Sequence, residues 1–154
     1  MTEEVFVSHA INAYWQYVGS VRLAEKGYQL TMPQPLPSYP GIYRIEAVEA
    51  SEVYVGEGGN LFNRLSDYEN AGWIPLTYSR TNRLIQKWIY EALSSHSSTF
   101  QIFICTHAEF SSDGADLTPL NLNQKYFRTL IEAATIATKC CDMTVMNKQF
   151  KNDI

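Results

Sequence analysis

Tyrosine, arginine and glutamate occur along this chain in a pattern that could cleave a phosphodiester. In the stretch PGIYRIEAVEASEVYVGEGGNLFNRL, residues 40–65, Gly41-Ile42-Tyr43 is mirrored by Tyr54-Val55-Gly56. Arg64 and Tyr68 follow at i and i+4, and Glu132 stands much further on. Each type has a use in such a reaction. An arginine grips phosphate oxygens with two parallel N–H donors. A carboxylate holds a hard divalent cation, and a phenol takes a proton from water once its pKa is lowered.

The elements that must position these residues can be read from apolar spacing. Two β-rich runs, 41–48 and 52–56, flank a short Ala/Glu turn and predict an antiparallel hairpin with Tyr43 and Tyr54 on adjacent strands. Gly58-Gly59-Asn60 breaks the second strand and offers Asn60 as a helix cap. The helix it starts runs through Leu61, Phe62 and Leu65 to about Ala71, with Arg64 and Tyr68 on one face. A loop, GWIPLTYS, precedes a second helix over 82–94 striped by Leu84, Ile85, Trp88, Ile89 and Leu93. Residues 99–107, TFQIFICTH, form the clearest strand. Residues 108–122 read as a surface loop, and 123–140 as a long helix with Phe127, Leu130, Ile131, Ala134 and Thr138 on one side and Glu132 beside them. Upstream, Val7, Ala10, Ile11, Tyr14, Trp15 and Val18 recur at helical spacing and predict a helix over 4–26 ended by Gly27. The proline-rich run 32–40 is an extended connector.

With 154 residues, the chain is one domain's worth. It contains no run of eighteen apolar residues, so no membrane span is expected, and its acidic start, MTEEVFVSHA, does not resemble an export signal. Cys105, Cys140 and Cys141 have no metal-ligand spacing and read as buried free thiols in a reducing compartment, which implies a cytoplasmic protein. The net charge of -4 argues against a large polyanion footprint. Two local basic clusters, Arg80/Arg83/Lys87 and Lys148/Lys151, run the other way.

Taken together, these residues resemble the GIY-YIG nucleases. Gly41-Ile42-Tyr43 matches that family's first signature, and Tyr54-Val55-Gly56 its second, with Val for Ile and ten residues between the tyrosines. GNLFNRLSDY looks like its next helix, with Arg64 at the catalytic arginine and Tyr68 at a Tyr-or-His position. LIEAATIA supplies Glu132 at the metal-binding glutamate, and VMNKQ supplies Asn147 at an asparagine near the end. Where many members carry lysine after the second signature, this chain has Glu57.

The resemblance implies an α+β fold: a small three-stranded antiparallel sheet flanked by helices, here with an extra N-terminal helix. Residues 1–39 would be a helix and connector packed on a nuclease-like domain over 40–154. It further implies DNA as partner and one Mg²⁺ (or Mn²⁺) ion per site, held by Glu132. Tyr43 or Tyr54 would activate water, Arg64 would steady the phosphate with Tyr68 beside it, and Gly56 and Asn147 would serve substrate binding. One site cuts one strand, so a double-strand break would need a homodimer, a partner subunit or two events. Residue by residue, plainer roles stay open: Glu132 could pair with Arg128 at i-4, and Asn147 could cap or turn the chain. For the whole chain, the alternative is a non-catalytic module that keeps the scaffold for binding nucleic acid or protein.

Overall fold

A computed structural model describes residues 9–23, 28–66, 68, 80–95 and 99–147, and all side chains there except those of Arg80 and Thr81. In chain order the elements are β1 (His9–Leu23), β2 (Tyr28–Thr31), β3 (Gly41–Ala47), β4 (Glu52–Gly58), α1 (Leu61–Ser66), α2 (Arg80–Ser95), β5 (Phe100–Ser112), β6 (Thr118–Pro119), α3 (Lys125–Lys139) and β7 (Thr144–Val145). The strands form one sheet in the order β2-β1-β5-β3-β4-β7, with β6 added to β5. All pairs are antiparallel except β4 with β7.

The small three-stranded sheet expected from the sequence is therefore incorrect. The three expected strands are present as β4, β3 and β5, but they are the middle of a seven-stranded mixed sheet in an α+β protein. The largest departure lies at the N-terminal end. The helix expected over 4–26 is, where described, the strand β1 (residues 4–8 and 24–27 lie outside the described residues). HAINAYWQYVGSVRL carries two periods at once. Ile11, Ala13 and Trp15 are half-buried while Asn12, Tyr14 and Gln16 are exposed, which is a period of two. A local window cannot choose between that and 3.6. The choice is made by β5, which pairs with β1 from His9 to Val21 and supplies the backbone partners a helix would have found in itself. Trp15 also contributes: the Arg44 guanidinium lies 4.5 Å from its ring and 4.4 Å from that of Phe103.

Two smaller expectations change as well. About half of the loop expected over 108–122 is strand, because β5 continues to Ser112 before a tight turn and Thr118–Pro119 return as β6. Asp113 (φ 53°) and Gly114 (φ 72°) take the left-handed conformations of that turn, and Ala115 N–H closes on Ser112 O at 3.0 Å. Helix α1 is described only to Ser66. Its expected continuation to Ala71 and the GWIPLTYS loop lie outside the described residues, except Tyr68. The Asn60 cap is present, its Oδ1 accepting from Asn63 N–H at 3.0 Å. The proline connector completes this helix start: Tyr39 O and Pro37 O accept from Leu61 and Phe62 N–H.

Helices cover both sheet faces. On one, Tyr43, Ile45, Ala47, Tyr54, Ile102 and Ile104 pack on Leu61, Leu65, Ile85, Trp88 and Ile89 of α1 and α2. On the other, Ile42, Val53, Val55 and Cys105 pack on Ile131 of α3. Among the described residues no helix is long and apolar enough to cross a membrane.

Helix α3 is held by an ion pair that accounts for the acidic residue after the second signature. Arg128 Nε donates to Glu57 Oε2 at 2.7 Å, and Arg128 Nη1 to Leu122 O at 2.8 Å and Asn123 O at 3.1 Å. A lysine at 57 would face this guanidinium with a like charge. With both side chains largely buried (8% and 17% exposed), removing one charge strands the other. Glu57→Ala is expected to cost roughly 3 kcal/mol in urea denaturation, while Glu57→Leu with Arg128→Met recovers most of it. Equal losses in single and double variants would show that the ion pair does not anchor α3.

Candidate functional site

The cluster starts from the register of the hairpin. Tyr43 on β3 lies directly opposite Gly56 on β4, and its ring crosses the sheet over that glycine. A Cβ at 56 would sit 2.4 Å from Tyr43 Cζ and Oη. The mirrored Tyr and Gly of the two tripeptides are thus one packing unit: the aromatic needs the missing side chain across the ladder.

Three more elements converge on the Tyr43 hydroxyl. Tyr68, just beyond α1, places its hydroxyl 2.9 Å away, and Arg64 Nε from α1 donates to Tyr43 Oη at 3.1 Å. The Arg64 Cζ stands 5.4 Å from the Tyr68 ring centroid. Arg64 Nη1 reaches on to Oδ1 of Asn82, buried in the first turns of α2, at 2.9 Å. Tyr54, one residue round the β4 pleat from Val55, brings its ring to 6.2 Å from that of Tyr43. Tyr43 and Tyr68 are fully buried and Tyr54 is 7% exposed, so Tyr54 is the phenol nearest to solvent.

The charges of this cluster are coupled. Burial pushes the Tyr43 phenol well above its usual range; Tyr68 adds to the shift and Arg64 opposes it. Tyr54 is raised by burial, then by Tyr43, and further by the negative charge of Glu132, with Arg64 again opposing. For Arg64 burial works against the charge, but the three phenols outweigh it and hold the guanidinium protonated. Glu132, half-buried on α3, is therefore in electrostatic reach of Tyr54. The pairing of Glu132 with Arg128 that the helical spacing allowed is not what Arg128 does, since that guanidinium bonds Glu57 and two carbonyls.

Of the residues singled out by sequence, Tyr43, Tyr54, Arg64 and Tyr68 gather in one cluster, and Glu132 reaches Tyr54 through its charge. Gly56 gives room to Tyr43. Asn147 is engaged elsewhere: its Oδ1 accepts from Val55 N–H at 2.9 Å and its Nδ2 donates to Val55 O at 2.6 Å. The amide mimics one more residue of strand β7 on the edge of β4. Asn82 escaped the sequence reading, because nothing local marks an asparagine eighteen residues from Arg64 as its acceptor. In the basic cluster on α2, Lys87 is paired with Glu91 at 3.8 Å, and Lys148 and Lys151 lie outside the described residues.

Among the described residues no three His, Cys, Asp or Glu side chains gather as metal ligands. A divalent cation at the tyrosines would rest on Glu132. A single hard carboxylate suits Mg²⁺, which keeps several of its waters and needs only one or two protein carboxylates.

The chain finds no match among family models, curated proteins or solved structures.

Two expectations follow from the geometry. Gly56→Ala is expected to lose about 1–3 kcal/mol by overpacking, and most of that loss should vanish in a Tyr43→Ala background. Additive losses would separate the two residues. The raised phenols also fix a pH dependence. Their ordinary pKa is 10.0, so above that the unfolded chain releases protons that the folded chain retains. The stability is complete below pH 10 and falls as pH rises beyond it, by up to about 1.4 kcal/mol per pH unit per group. Melting curves should show that alkaline decline flattened in Tyr43→Phe with Tyr54→Phe; an unchanged decline would remove these phenols as its cause.

Proposed function

We propose that this chain is a divalent-metal-dependent DNA endonuclease of the GIY-YIG type that hydrolyses phosphodiester bonds. The observation that carries the reading is the linked set Tyr54–Tyr43–Tyr68 with Arg64 donating into it. A core needs no half-buried guanidinium bonded to a phenol; a developing phosphate charge does need such a preorganised donor.

In this reading Arg64, oriented by Tyr43 and Asn82, turns its remaining N–H donors to the scissile phosphate. Tyr54, the least buried phenol, meets the attacking water and, as phenolate, takes its proton. Glu132 would hold the Mg²⁺ (or Mn²⁺), which when bound supplies Lewis-acid stabilisation of the phosphate oxygens. Glu57 positions α3, and through it Glu132. Gly56 and Asn147 serve the site by shaping β4. The cytoplasm suits the free thiols of Cys140 and Cys141, both exposed.

One observation favours a second reading, a catalytically inactive binding module: the Tyr43 hydroxyl is fully buried with its bonds already engaged, and its phenol is strongly neutral.

Nicking of supercoiled plasmid with Mg²⁺, Mn²⁺ or EDTA separates the two. The wild type is expected to nick only with metal. Glu132→Ala should abolish nicking with stability within about 1 kcal/mol, and Arg64→Ala should slow it on the order of a hundredfold. A folded wild type that nicks no DNA with either metal, or an Arg64→Ala variant at the wild-type rate, would sink the nuclease reading.

A further inference from the structure

The two margins of the sheet are finished differently. At one, the two residues of β7 and the Asn147 amide close the outer edge of β4. At the other, β2 pairs with β1 only over Ser20–Leu23. Before Ser20, β1 is bonded on one side to β5, and among the described residues no strand meets its other side. The proline connector and Gln16, Tyr17 and Val18 line one cavity, and among the described residues His9 to Trp15 form an open edge.

Open edges in soluble proteins carry charge or proline against unwanted pairing. This one carries neither: from His9 to Val21 there is no Asp, Glu, Lys, Arg or Pro. Its side chains also complement themselves. Ile11, Ala13 and Trp15 alternate with the exposed Asn12, Tyr14 and Gln16. An antiparallel pairing that sets Ala13 against Ala13 of a second copy brings Ile11 opposite the second Trp15. It keeps Asn12 opposite the second Tyr14 on the other face. The half-buried Ile11, Ala13 and Trp15 then meet only one another, no like charges meet, and a two-fold axis through Ala13 closes the contact.

We infer that the open edge of β1 is the seat of a second copy of this chain, joined strand to strand across Ala13 into a continuous sheet. This interface does not depend on the nuclease reading.

Light scattering coupled to size exclusion tests it on the full chain. The wild type is expected at twice the 17.6 kDa chain mass. Asn12→Lys with Gln16→Lys sets lysines of the two copies diagonally across the pairing; it should run as a monomer with an unchanged circular-dichroism spectrum. Ala13→Cys, with Cys140→Ser and Cys141→Ser, should cross-link to a covalent dimer through a short bis-maleimide, which forms a thioether with each cysteine, as a strand pair on that axis requires. A wild type that is monomeric at every soluble concentration overturns the proposal. So does a dimer that survives the lysines, a dimer with no cross-link at Ala13, or a mass that climbs beyond two chains.

Discussion

The Tyr43 hydroxyl is the point on which the site depends. It is buried under two helices, and burial in apolar surroundings is tolerable for a phenol only if its oxygen finds partners. Tyr68 and Arg64 provide them, at 2.9 and 3.1 Å. That one requirement brings β3, α1 and the turn beyond α1 into a fixed relation. It extends to α2 through the bond from Arg64 to Asn82. Gly56 belongs to the same constraint from below, because the ring that carries the hydroxyl lies where any other side chain would be.

A second anchor sits on the opposite face. Arg128 spends three donors on Glu57 and on the carbonyls before α3. The bonds fix the helix that carries Glu132 against the strand that carries Tyr54. Another tie, from Glu46 to both Arg44 (2.9 Å) and Lys139 (3.0 Å), pins the far end of α3 to β3. The carboxylate near the phenols is therefore held by ion pairs at either end of its helix, none of which includes it. The phenol cluster and the ion pairs that anchor α3 use different residues, so the effects of changing them can be told apart.

The local signals that proved legible were those a few residues could satisfy among themselves. Asn60 caps α1 because its side chain reaches an N–H three residues on. The stripe Ile85, Trp88, Ile89 and Leu93 is buried because helical spacing puts it on one side. The hairpin of β3 and β4 and the strand β5 follow from β-rich runs bounded by turns. N-terminal β1 was illegible for the complementary reason: its apolar residues fit two periods, and the deciding backbone partners are some ninety residues away on β5. Glu57 looked like a misplaced charge until Arg128, seventy-one positions on, was beside it.

What the sequence by itself determined is the inventory and spacing: three phenols, a guanidinium and a carboxylate, with a glycine paired to a tyrosine across one hairpin. Those are short-range relations, set by strand alternation and by the four-residue repeat of a helix. Only the tertiary structure decided the rest. It made the N-terminal segment a strand, gave Arg64 its acceptor on α2 and used the amide of Asn147 to finish a sheet edge. Each of those outcomes depends on a backbone or side-chain hydrogen bond between segments far apart in the chain. The energy of such a bond appears only when both ends have been brought out of water together.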